Sequence, residues 1–233
     1  MKTEIDVHSV QAKILRVLLF KPKARFANLN VDGLSTDHFT FHIKQLVASG
    51  LIRKIEDGSY ELTIKGKEFA NHFDTDKASV EPQAKVGVLI VGIKEEKNVR
   101  KYLVQQRLKH PYFGFHGFPS GKIRKGETVY ETAKRELAEE TGFKGDLILK
   151  AIRHKMDYSP KDDLLEDKFF FVFRAQNLKG KLIESFEGGK NLWLTEKEIF
   201  KLPKLFKDVR ETIKFANEKS LRFSEKKYTE EIF

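Results

Sequence analysis

The chain has 233 residues, with 44 Lys+Arg against 34 Asp+Glu, a formal charge of +10, 40% hydrophobic residues and no cysteine. This composition excludes a disordered polar chain, a disulfide framework and a thiolate metal site, and it favours a folded protein of one large or two smaller domains. The longest apolar run, eight residues at 86–93, falls far short of the ~20 that span a bilayer, and the opening MKTEIDVHSVQAK lacks the plan of a secretory signal. A cytoplasmic protein with no membrane partner is therefore expected. The positive excess invites a polyanionic partner, nucleic acid or phosphorylated metabolite, but it is spread out: the first 75 residues hold 11 Lys+Arg and 9 Asp+Glu.

In chain order, the stretch 10–20 places Val10, Ile14, Val17 and Leu18 at helical spacing. A short helix is expected near 26–31. Over 35–52, Phe39, Ile43, Leu46 and Val47 share one helical face, with Ser35 as N-cap and Gly50 as stop. A strand, a turn at 56–59 (EDGS), a second strand at 60–63 and a helix at 64–73 follow. This order, over residues 5–75, resembles a winged helix-turn-helix domain. The resemblance implies a recognition helix whose Thr36, His38, Thr40, His42 and Lys44 enter the major groove of DNA, with Lys54 on the backbone. The alternative is a helical module for dimerisation or docking, because Glu56 and Asp57 at the wing tip repel phosphate. Residues 74–85 are polar and aperiodic, which predicts a winged-helix-like domain at 1–75, a linker at 76–84 and a second domain at 85–233.

In the second domain, 85–94 and 99–109 read as strands and 110–121 (HPYFGFHGFPSG) as an irregular loop. Thr128 and Glu131 have capping-box spacing, Gly142 suits a C-terminal stop, and Val129, Ala133 and Leu137 form an apolar stripe, so a helix is predicted from about 128. It carries Glu131, Glu136, Glu139 and Glu140. Acids three and four apart repel by ~0.2–0.5 kcal/mol per pair, and near a helix C-terminus the macrodipole adds to the cost. Arg135, four residues from both Glu131 and Glu139, relieves only part of this. A divalent cation such as Mg²⁺ relieves the remainder, since it takes few carboxylates and keeps water and phosphate oxygens as ligands.

The run Gly121, five residues, Glu127, seven residues, then Arg135-Glu136-Leu137-Ala138-Glu139-Glu140-Thr141-Gly142-Phe143 resembles the full signature of the Nudix hydrolase family. The likeness extends over residues 85 to about 200. It implies an αβα sandwich around a mixed sheet, an α/β domain following the small α+β domain, and hydrolysis of the diphosphate in a nucleoside diphosphate derivative with Mg²⁺, for which Mn²⁺ can substitute. By the same resemblance Glu136, Glu139 and Glu140 are the metal-binding and catalytic acids, the carbonyl of Gly121 is a further ligand, and Glu127 and Arg135 hold loop to helix. Ser120 and His116 depart from residues common in the family.

Other candidates are less determined by pattern. A loop base is sought among Asp162, Asp163, Glu166, Asp167 and Glu187, with Glu166 named. Tyr112, Phe113, Phe115 and Phe118 are placed to stack a nucleobase or to pack the core. His110, His116 and His154 show no metal-ligand spacing. Residues 167–175 read as a buried strand, and Leu205, Val209, Ile213 and Ala216 as the stripe of a final helix serving the core or a homodimer; the tail from Ser224 is expected to fray. Two functional readings follow: a pyrophosphohydrolase, or a regulator that senses a nucleotide metabolite and binds DNA, for which the family resemblance predicts a damaged acid set rather than this complete one.

Overall fold

The computed structural model describes residues 7–74, 79, 80 and 82–233, and the chain divides into two compact units, Met1–Pro82 and Gln83–Phe233. The first contains α1 (Ser9–Phe20), α2 (Phe26–Leu29), α3 (Thr36–Ala48), the strands β1 (Ile52–Lys54) and β2 (Tyr60–Leu62), α4 (Ile64–Ala70), and the short strands β3 (Phe73–Asp74) and β4 (Ser79–Val80). Ile14, Leu15 and Leu18 of α1 pack with Phe39, Ile43 and Leu46 of α3 around Leu29, Leu51 and Leu62. Val10, Ile14 and Leu18 keep the helical face read from sequence, while Leu15 joins them in the core and Val17 is only partly buried. Val47 departs from that reading: it is exposed, because the buried arc of α3 passes instead through His42. Ser35 stands at the N-cap position of α3 but makes no capping hydrogen bond. Strands β1 and β2 form the expected antiparallel hairpin, its turn closed by Asp57 Oδ1 accepting from the Ser59 amide at 2.9 Å. The expected linker begins within the first unit, since β4 pairs with β3; residues 75–78 and 81 lie outside those described.

The second unit holds β5 (Lys85–Glu96), β6 (Val99–Arg107), β7 (His116–Gly117), β8 (Ser120–Lys122), α5 (Val129–Thr141), β9 (Phe143–Tyr158), β10 (Leu164–Gly180), β11 (Ser185–Phe186), β12 (Gly189–Leu194), α6 (Glu196–Ile199), α7 (Val209–Asn217) and β13 (Arg222–Thr229). Its mixed sheet runs β11-β12-β6-β5-β10-β9-β13, with β7 on β6 and β8 on β5. The pairs β5–β10 and β9–β13 are parallel, the rest antiparallel. Alternate residues of β5 enter two different cores. Val88 and Ile90 join Ala133 and Leu137 of α5, whereas Leu89 and Val91 join Val209, Ile213 and Ala216 of α7. Since successive strand side chains point to opposite faces, α5 and α7 cover the two faces of the sheet, the expected sandwich. This also explains why 86–93 is apolar without alternation.

Two expectations are corrected here. The tail does not fray from Ser224: it forms β13 in parallel register with β9, Ser224 opposite Arg153 and Thr229 opposite Tyr158. Its Ser224 and Tyr228 hydroxyls meet the guanidinium of Arg153, a tie that hydropathy does not reveal. Leu205 precedes α7 and bridges to His116 in place of continuing the helical stripe.

Candidate active site

The helix α5 begins as its sequence predicts: the Glu131 amide donates to Thr128 Oγ1 at 3.2 Å and the Thr128 amide to Glu131 Oε2 at 2.8 Å. It ends at Gly142, whose φ of +76° is left-handed, and where a Cβ would stand 2.2 Å from the Lys181 carbonyl oxygen. Glu131 is thereby committed to the cap, and Arg135 reaches elsewhere. Its Nε and Nη2 donate to the two oxygens of Glu127 at 2.7 and 2.8 Å, and its Nη1 meets Glu136 at 2.5 Å and Glu139 at 3.2 Å. Of the two pairings expected from spacing, the one to Glu139 forms and the one to Glu131 does not. Glu127 also accepts from the Arg124 amide and the Thr132 hydroxyl, so the loop before α5 is fastened to the helix through one carboxylate. The hydrogen bonds from Arg135 lead in holding the Glu127 carboxyl down to about 2.

Glu136 is buried against Gly121: a Cβ at that glycine would lie 1.9 Å from the carboxyl carbon, so only glycine lets the backbone of β8 approach this acid. Glu140 is half-buried and accepts from Gln105 Nε2 at 3.2 Å. Its carboxyl is raised above the ordinary value, by burial foremost and then by the charge of Glu136. Glu139 is the outward member, 53% exposed and turned to Arg135 and, at 3.6 Å, Arg124. Among the described residues no three His, Asp or Glu side chains converge at metal-ligand spacing. The donors that share one cleft are Glu136, Glu140 and the backbone of Gly121.

The family model of the NUDIX domain matches residues 82–215. The chain belongs to the Nudix family. An oxidized purine nucleoside triphosphate hydrolase of Danio rerio is 36% identical over 73 residues, 31% of this chain and 44% of that protein, so the match spans less than half the relative's length. Among solved structures, the MutT protein of Bacillus halodurans superposes with a TM-score of 0.50 at 23% identity, covering 62% of this chain and 90% of that one, a likeness of fold. The NUDIX domain of Shewanella oneidensis NrtR, solved with ADP ribose, gives 0.44 at 19% identity over 66% of this chain and 97% of its own.

In this NUDIX domain the cleft has a volume of 590 Å³ and is lined by Glu136, Glu140 and Glu166 together with six cations, Lys85, Arg107, Lys109, Lys122, Arg124 and Lys168. None of the six was singled out from sequence, because they come from four separated segments that only the sheet brings together. Glu166, the named loop base, is in the cleft but buried and ion-paired with Lys85 at 3.1 Å and with Lys168. Asp163 is bound to Ser159 and Asp167 to His154, and neither these nor Asp162 and Glu187 line the cleft. Burial, then the charge of Lys155, pushes the Lys168 ammonium down to about 7.

Beside the cleft lies a recess of 70 Å³, sharing Arg107, Ser120, Lys168 and Phe170 with it. Its far wall is a buried charge network. Lys155 pairs with Asp157 at 3.2 Å, Arg153 with Asp208 at 3.1 Å, and Tyr112 Oη donates to Asp157 at 2.9 Å. The signal for it was present in sequence, as Arg153, Lys155 and Asp157 alternate along one strand face. The expected stacking role of Phe115 is not supported: it is buried against Tyr112 and Phe206. Phe118 is likewise a core residue that reaches only the recess wall. His116 is buried, with Nδ1 2.9 Å from the Pro203 carbonyl, and His154 stacks on Phe169.

In the first unit, the residues expected to read DNA do not share a surface. Thr36, His38 and Lys44 are exposed and Thr40 is half-buried, but His42 is 3% exposed, in ring contact with His8 and His38. It cannot reach a base edge. The resemblance to a recognition helix takes it together with the other polar residues of α3, whereas here it occupies the core-facing arc of that helix.

Proposed function

We propose that the chain is a pyrophosphohydrolase that cleaves the diphosphate of a nucleoside diphosphate derivative with the help of Mg²⁺. One observation carries this reading: acids that repel one another on α5 face the same cleft as six cations. The cations suit a polyanion, and the acids have a reason to be there only if a further positive charge binds between them and the polyanion.

The donor set fits a hard cation. It consists of carboxylate and carbonyl oxygens, and the raised carboxyl of Glu140 reflects burial beside another acid, a cost that a divalent ion at Glu136, Glu140 and the Gly121 carbonyl would offset. Glu139, exposed on the next turn, would contribute through water. Mg²⁺, or Mn²⁺ in its place, supplies neutralisation of the diphosphate and a water of lowered pKa. The chain's own residues do the remainder. Arg135 and Glu127 fix the loop against α5, so Gly121 and Glu136 keep their separation. Arg107, Lys109 and Lys168 orient the phosphates, and a carboxylate of α5 accepts the proton from the attacking water. Glu166, neutralised by two lysines, holds Lys85 and Lys168 in place and is not assigned as the base.

The test is a panel of nucleoside diphosphate sugars, dinucleoside polyphosphates and oxidised nucleoside triphosphates with Mg²⁺, read by release of nucleoside monophosphate or phosphate. Turnover abolished by Glu140→Gln supports the hydrolase and names its substrate. Saturable binding of one compound without turnover contradicts it and favours the sensing regulator, to be followed by DNA binding through Thr36, His38 and Lys44.

A further inference from the structure

Strands β5 and β10 run parallel only as far as Gly92 opposite Ala175. Beyond that pair β5 continues against β6, and β10 against β9, so the two part company at their carboxyl ends. A second cleft of 710 Å³ opens there, lined among others by Lys94, Glu95, Arg100, Arg174, Gln176 and Trp193. The crevice beyond the carboxyl ends of parallel strands is a recurrent ligand position in α/β folds. The proposed active cleft takes Lys85, Val86 and Gly87 from the other end of β5, about 25 Å away at ~3.3 Å per residue, so the two are separate sites.

The charges in this second cleft do not balance. Lys94 sits 4.8 Å over the Trp193 ring and 3.5 Å from Glu96, and Arg100 binds Glu95 at 2.9 Å and Asn217 at 3.1 Å. Arg174 has no such partner. It is half-buried, its Nε is shielded from solvent without a hydrogen bond, and no carboxylate among the described residues lies within ion-pair distance of it. Its electrostatic neighbour is another cation: Lys150, buried in the bulge of β9, has its ammonium pushed down by burial first and then by the charge of Arg174. A half-buried guanidinium whose Nε is shielded from water beside a second positive charge is costly unless an oxyanion takes its donors.

We propose that this cleft is a second binding site of the NUDIX domain, where Arg174 holds the phosphate group of a small ligand. The site stands independently of the hydrolase reading. Trp193, the chain's single tryptophan, lines it and reports on it directly. The experiment is titration of Trp193 fluorescence, excited at the red edge of its absorption, in the full-length protein with EDTA and constant ionic strength, using inorganic phosphate and, separately, adenosine monophosphate. The expected result is a saturable change whose half-saturating concentration rises at least about tenfold in Arg174→Gln and less in Arg174→Lys, which keeps the charge but loses the planar fork. It stays within about twofold of wild type in Arg124→Gln, which alters only the other cleft. Saturation by phosphate alone marks the free anion as sufficient, and tighter saturation by the nucleotide marks its phosphate as the bound group; both support the site. No saturable change with either probe, or an undiminished response in both Arg174 variants, overturns it.

Discussion

Helices α3 and α5 are each 13 residues long, and each buries one ionisable side chain in its core-facing arc, His42 in one and Glu136 in the other. The consequences differ. Glu136 is met by groups that fit it: the guanidinium of its helix neighbour Arg135, itself fixed by Glu127 from the preceding loop, and the bare backbone of Gly121 on β8. His42 is met by two more histidines, its Nε2 3.3 Å from that of His38, and its Nδ1 has no partner. A buried polar residue served by complementary groups from several elements is a built site, whereas one served by its own kind is a packing compromise.

The largest effects expected from this contrast are on turnover. Glu140→Gln lowers kcat by roughly 10²–10⁴-fold with circular dichroism unchanged, while His42→Leu leaves kcat within about twofold. Loss of turnover in the histidine variant would erase the distinction. Next in size is Gly121→Ala, whose methyl group must displace the Glu136 carboxylate. It destabilises by about 1–3 kcal/mol in denaturant melts and lowers kcat with it. Arg135→Ala leaves Glu127 and Glu136 without their shared donor and costs about 2 kcal/mol, while Arg135→Lys recovers only part because lysine lacks the fork. His42→Leu is expected to be neutral or stabilising by up to about 1 kcal/mol, since it replaces a buried imidazole that has one nitrogen without a partner by a hydrocarbon.

The smallest expected effect is the pH response, and its sign differs between the two units. His42 is held below its ordinary value by burial, then by the charges of His8 and His38. Its contribution is therefore present above about pH 6.5 and lost as pH falls through the lowered value. His154 is held above its ordinary value by hydrogen bonding to Glu225, then to Asp167. Its contribution is full below about pH 6.5 and lost as pH rises through the raised value. Hydrogen exchange between about pH 5 and 8 should show α3 loosening towards acid and β13 loosening towards alkali. Parallel trends in both would contradict the assignment.

Much of this was legible in sequence. The cap at Thr128, the stop at Gly142 and the stripe of α5 follow from local rules, and the approach of Gly121 to Glu136 follows from a signature whose spacing encodes a long-range contact. The six cations of the cleft were not legible, because each is an ordinary surface residue until strands from distant segments align. The docking of the tail was missed for a similar reason: β13 is bound to β9 by polar ties to Arg153 and His154 rather than by apolar alternation. Phe115 and Phe118 were ambiguous because an aromatic in a loop reads alike whether it faces ligand or core.

The central claim is that the acids of α5 face the cleft to hold a cation. The direct test is calorimetric titration of Mg²⁺, or Mn²⁺ followed by electron paramagnetic resonance, in wild type, Glu140→Gln and Glu131→Gln. The account predicts saturable binding, weakened at least about tenfold in Glu140→Gln and unchanged in Glu131→Gln, whose carboxylate serves only the helix cap. Equal binding in all three, or none in wild type, would mean that α5 carries no more than a solvated acidic face.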